Sequence, residues 1–237
     1  MQQLTARYRI TELHPLATAR REDCESHYAG HHIPMIVRAR RTDTTPRVLR
    51  YRPHLAVAEH TGGTWRDSKD YWRFVFVTYL GEGTLGASDT KRISADHTGW
   101  AQDLRSFEVA ATVLLDRRSG QLSSAKFLVL GHGDDGLATD VASWRETAAE
   151  LGRSAFGMRL CIANDAIREQ ETEAIDVPGQ RFTRRTLPVS GVRYYDECYF
   201  DSVEAGEEFF ARQDIRAALP VGARLLRVTE VIAFDQT

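Results

Sequence analysis

Apolar and polar positions alternate along Ala6–Leu13, with Tyr8 and Ile10 on one face, which predicts a first strand. Helical spacing then takes over: Cys24, Tyr28, His31/His32, Met35 and Ile36 recur within Arg21–Arg40, with Thr18 or Asp23 to start the helix and Pro34 to bend it. Val48–His60 predicts a second strand, in which Pro53 marks an edge or a bulge, followed by a Thr61-Gly62-Gly63-Thr64 turn. Tyr71–Leu80 is the clearest strand of the chain, rich in aromatic and β-branched residues. Lys91–Leu104 predicts a second helix and Ser106–Leu115 a closing strand, so the first half reads β-α-β-β-α-β.

The second half repeats that order. Lys126–Leu130 is a strand and Gly131–Gly136 a turn; Val141–Phe156 is a helix with Trp144, Ala148, Leu151 and Ala155 along one stripe. Gly157–Ala163 is a strand, Asp165–Ser190 a long polar connection, Val192–Phe200 a strand, Val203–Leu219 a helix and Arg224–Phe234 the last strand. Each half matches the ferredoxin-like split βαβ unit, a four-stranded antiparallel sheet with both helices on one face. The other face would carry Trp72, Phe74 and Phe76 or their alternates, too apolar to stay wet. The predicted fold is therefore α+β: two tandem repeats, 1–118 and 119–237, packed sheet to sheet as a barrel.

Composition narrows the setting. The 237 residues are 42% hydrophobic and 27% charged, enough for a packed core without a disulfide or metal staple. Lys+Arg 31 against Asp+Glu 33 gives net charge −2, which argues against a nucleic-acid binder. No run of about 18 apolar residues predicts a membrane span, and no signal peptide is visible, so a cytoplasmic protein is expected. Cys24, Cys161 and Cys198 match no metal or redox motif and read as free thiols, the last two in the core.

Chemistry concentrates in Glu25–Ile36, and seven of the eight histidines lie in the first half. Tyr28 and His32 are four apart, hence neighbours on one helix face, with His27 and His31 on an adjacent stripe. A histidine at the mouth of an apolar pocket suits acid/base work near neutral pH, and a tyrosine beside it can orient it or donate to an oxyanion. Tyr51, His54, Trp72 and Tyr79 lie on strands that can reach the same cleft; Tyr51 and His54 face opposite ways unless a bulge at Pro53 reverses one. Asp96 and Trp100 read as a helix cap and a packing aromatic. His27-x-x-x-His31 has metal-ligand spacing, but no third ligand is apparent, so no metal is assigned. The Gly131–Gly136 run lacks the Lys-Ser/Thr of a phosphate loop and reads as a turn.

Tyr28, His32, Pro34 and Met35 resemble the signature of the EthD family of the dimeric α/β-barrel superfamily, an aromatic residue followed by His-x-Pro-apolar on the helix after the first strand. The likeness covers roughly residues 6–115, and the second half has no His-x-Pro, which implies one site per chain, in the first repeat, with the second mainly structural. It also implies a cofactor-independent enzyme acting on a small hydrophobic, oxygenated, polyketide-like or aromatic compound. On that reading His32 is the acid/base, Tyr28 supports it, and His31, His27, Tyr51, His54, Trp72 and Tyr79 contact substrate. Cyclisation, dehydration, decarboxylation or isomerisation is the leading chemistry. The alternatives are a cofactor-free monooxygenase, a haem protein using His132, and a non-catalytic binder. Exposed sheet edges leave a homodimer open.

Overall fold

The computed structural model describes residues 6–15, 18–39, 47–68, 73–80, 92–93, 95–96, 100–118, 125–134, 136–154, 157–175 and 181–235. The first half holds β1 (Ala6–Pro15), α1 (Arg21–His27), a π-helical turn (Tyr28–His32), α2 (Ile33–Ala39), β2 (Arg47–Thr61), β3 (Thr64–Asp67), β4 (Arg73–Leu80) and β5 (Ala101–Asp116). The second holds β6 (Ala125–Gly133), α3 (Leu137–Ser154), β7 (Met158–Ile175), β8 (Arg181–Pro188), β9 (Val192–Phe200), α4 (Val203–Ala211), α5 (Gln213–Ala218), β10 (Arg224–Glu230) and β11 (Phe234–Asp235).

Strand order in the first half is β5-β1-β4-β2 and in the second β10-β6-β9-β7, so each half has the same antiparallel arrangement. The edges of the two sheets join, β5 to β7 and β10 to β2, and close an eight-stranded barrel. Every barrel strand is then paired on both sides, which removes the exposed edges that would otherwise call for a second chain. Arg105 clips one seam through Glu169 at 2.7 and 2.9 Å, and Arg224 clips the other through Glu59 at 2.7 Å.

Three cores follow from strand alternation. Inside the barrel, Ile10, Phe74, Phe76 and Phe107 of the first half meet Leu128, Leu130, Tyr195, Leu226 and Val228 of the second. Outside it, Phe127, Trp144, Cys198, Phe200, Phe209 and Phe210 pack between the second sheet and its helices. Leu13, Cys24, Tyr28, Met35, Tyr51, Val75 and Trp100 pack between the first sheet and α1–α2. Phe74 and Phe76 thus cover the second sheet as expected, while Trp72 lies outside the described residues.

Several boundaries differ from the sequence expectation. Residues 101–104 are strand, not helix: they pair with the end of β1, which lengthens β5. The supposed connection Asp165–Ser190 is largely a hairpin of β7 with β8, whose charged residues conceal a ladder satisfied by backbone alone. Gly131–Gly133 continue β6 against β9 instead of turning. The last helical stretch breaks at the extended Arg212, and Thr64–Asp67 adds an unforeseen short strand on β2. The final strand ends at Glu230, and β11 returns to β2 at Tyr51 and Arg50. The gap between β10 and β11 falls at Pro53, whose carbonyl accepts the Val231 N–H; a residue with no N–H fits a strand interior where the ladder is interrupted. Arg20, not Thr18 or Asp23, precedes α1, with no side-chain cap; Glu22 and Asp23 instead favour the helix dipole from its first turn.

Candidate functional site

The site grows from an irregularity in one helix. Pro34 has no N–H to give the Gly30 carbonyl, and the turn ahead of it widens: the Ile33 N–H reaches back to the Tyr28 carbonyl in π fashion. On a regular α-helix, residues five apart point about 140° away from each other. In the widened turn His27 and His32 come to the same side and grip one carboxylate. His27 Nε2 lies 2.7 Å from Asp96 Oδ1, and His32 Nδ1 lies 2.8 Å from Asp96 Oδ2. Trp100 Nε1 also donates to Oδ2, at 3.3 Å.

This arrangement assigns protons. Burial pushes Asp96 up, but the hydrogen bonds from His32, His27 and Trp100 outweigh it and hold the carboxyl below its usual range. An ionised carboxylate only accepts, so both imidazoles donate to it. His32 is 1% exposed, and burial lowers its pKa against the opposing pull of Asp96, which favours the neutral ring. Neutral His32 with its proton on Nδ1 carries its lone pair on Nε2, the form a general base needs.

Tyr28 stacks on His32 with ring centroids 4.8 Å apart, as their spacing predicts, and Trp100 meets both rings edge-on. The Tyr28 hydroxyl shares a 2.8 Å hydrogen bond with Tyr51, which reaches it from β2. Arg73 lies on the helix-facing side of β4 with its guanidinium 4.2 Å from the centroid of the Tyr28 ring. Burial pushes the Tyr28 phenol up to about 12 despite Arg73 and Tyr51, and pushes Tyr51 up as well, so both hydroxyls stay protonated. The cluster contains an imidazole, two phenols joined by one hydrogen bond and a guanidinium between sheet and helix. Beside it opens a cleft of about 400 Å³ lined by His31, Met35, Arg38, Arg92 and Asp96.

Of the residues singled out from sequence, His27, Tyr28, His31, His32 and Tyr51 converge here. His54 does not: β2 stays regular at Pro53, so His54 points into the barrel, where Lys126 Nζ approaches its Nε2 at 2.5 Å. Of Tyr79 the strand position is described, opposite Val48. His132 is exposed at the end of β6, a poor setting for haem ligation. Asp96 and Arg73 were not expected. A signal for Arg73 existed, a lone cation sharing strand parity with Val75 and Val77; Asp96 sits in a polar stretch whose pattern carries nothing. Trp100 packs as expected and also donates to Asp96.

No family model and no curated protein matches the chain. Solved structures do. An anthrone oxidase-like protein superposes with a TM-score of 0.53 at 10% identity over 99% of this chain and 98% of that one. A protein provisionally assigned as a monooxygenase, from Lactobacillus acidophilus, gives a TM-score of 0.48 at 10% identity over 96% of this chain and 95% of its own. At 10% identity the likeness to the anthrone oxidase-like protein shows the fold alone, an α+β barrel, here closed by two antiparallel sheets of like strand order.

Proposed function

We propose that the chain is a small-molecule enzyme that removes a proton from a hydrophobic, oxygenated substrate of phenol or ketone character without an organic cofactor. The observation that carries this reading is the buried His32, hydrogen-bonded to Asp96 and stacked on the Tyr28 ring. His32 Nε2 takes the proton, Asp96 steadies the imidazolium, and Tyr28, Tyr51 and Arg73 meet the negative charge left on the substrate oxygen. His31 and Met35 on the cleft wall contact the rest of the molecule.

The oxidative outcome is preferred, supported by the likeness to the anthrone oxidase-like barrel. Dioxygen is then the co-reactant: a CH2 group becomes C=O, one oxygen atom stays on carbon and the other leaves as water. In the second reading, supported by the same base and donors, the anion cyclises, eliminates or isomerises as a lyase or isomerase would. The first repeat carries the site in both, and the second supplies the facing wall of the barrel.

The test is a panel of anthrones, hydroxyquinones and polyketide-like diketones, screened by thermal shift and then by turnover in an oxygen electrode. His32→Ala should lower kcat by about 10²–10⁴ while leaving ligand affinity within a few-fold. Turnover that survives this change removes His32 as the base. Ligand binding without turnover in the native protein would make it a binder.

A further inference from the structure

The two oxygens of Asp96 face different company. Oδ2 receives His32 and Trp100, whereas Oδ1 faces His27 Nε2 at 2.7 Å and His31 Nε2 at 3.6 Å. One ligand atom from each of His27, His31 and Asp96 lies within 4.8 Å of the others. A first-row metal with bonds of about 2.1 Å sets its ligands roughly 3.0–3.4 Å apart; the two spacings to Asp96 bracket that range, and the His27–His31 spacing, within 4.8 Å, must shorten on binding. We propose that His27, His31 and Asp96 bind a divalent transition-metal ion at the mouth of the cleft.

The donor set is two imidazoles and one carboxylate. That combination suits zinc, cobalt, nickel or iron and leaves positions open for other ligands. His31 and Asp96 are both on the cleft wall, so the open positions face the space a substrate would enter. His31 is the most exposed of the three, so its ring has the room to swing toward His27 as the ion binds. Binding displaces the His27–Asp96 hydrogen bond and needs His27 Nε2 free of its proton to present a lone pair to the ion. The outer layer is already in place, since His32 and Trp100 hold the second carboxylate oxygen in the manner of groups that orient metal ligands. The π-helical turn supplies the geometry: it sends His27 and His31 to one oxygen and His32 to the other.

The proposal stands apart from the acid/base reading, and its test reads metal alone. Tag-free protein is freed of metal with chelator, dialysed and titrated with Co²⁺ and with Zn²⁺. The expected result is one ion per chain, with visible cobalt absorption that Zn²⁺ abolishes. His31→Ala and His27→Ala should each weaken binding by about a hundredfold or more. His32→Gln, which touches only the far oxygen, should weaken it by about ten- to a hundredfold and keep the cobalt spectrum at saturating metal. No stoichiometric binding, or binding unchanged in His31→Ala, overturns the site. A loss of turnover in His32→Ala with metal still bound would leave both proposals standing; metal bound without turnover would remove only the enzymatic one.

Discussion

Lys126 directs its ammonium at His54 and Glu197 inside the barrel, both at 2.5 Å, and Arg52 reaches Glu230 at 2.9 Å and the Tyr199 hydroxyl at 3.0 Å. Two cations and two carboxylates balance there, so His54 is held neutral: burial and then Lys126 push its pKa down to about 4 from an ordinary 6.5. Above pH 6.5 neither the folded nor the unfolded chain protonates this ring. As pH falls from 6.5 to 4 only the unfolded chain takes the proton, so up to about 3 kcal/mol of stability drains away in that window. Glu197, held near 2 chiefly by Lys126 and Arg52 against burial, contributes stability above its ordinary range of 4.5 and loses it as pH drops toward 2. Urea midpoints measured from pH 7 to pH 4 should therefore fall in the native protein and flatten in His54→Gln; an unchanged slope would remove His54 as the cause. The contact between Tyr28 and His32 could be read from a four-residue spacing, because a helix repeat determines which side chains meet. The place of Asp96 could not, since it depends on which segment folds opposite, and strand parity alone gave Arg73 a face but no partner.

The π-helical turn shows how one element reconciles packing with a site. Gly30 lies on its exposed side without a positive φ, and a Cβ there would meet nothing within 4 Å. Gly30→Ala should therefore stabilise the protein by about 0.5–1 kcal/mol through the unfolded chain and helix propensity, seen as a raised Tm with Asp96 contacts intact. Gly206 is the opposite case: α4 lies so close to β6 that a Cβ would fall inside the buried Phe127 ring. Gly206→Ala should cost about 1–3 kcal/mol by overpacking, and a Tm within a degree of the native protein would contradict the close approach. Ser202 caps α4 by accepting the Ala205 N–H at 3.1 Å. The β7–β8 pairing was not visible, because its ladder is made by backbone groups and a mostly polar stretch gives no apolar alternation to detect.

At the scale of the molecule the element order was enough to read the barrel, since two sheets with one bare apolar face each have few other ways to bury it. The closing seams were beyond pattern, because they join strands of different halves. No helix among the described residues is long and apolar enough to cross a membrane. The shared interior core makes each half depend on the other: fragment 1–118 alone leaves Ile10, Phe74, Phe76 and Phe107 uncovered. That fragment should self-associate in size-exclusion chromatography, and adding fragment 119–237 should recover a one-to-one complex. A soluble, monomeric, cooperatively folding 1–118 would refute the shared core. The Arg224–Glu59 clip joins residues 165 positions apart, which gives the seam a meaning in time as well as in space. At about 5–20 residues per second a ribosome needs roughly ten to thirty seconds to travel that distance. Through that interval the aromatic face of β4 waits for strands still unmade, so birth on the ribosome, and not life as a finished barrel, is when this chain has most need of a chaperone.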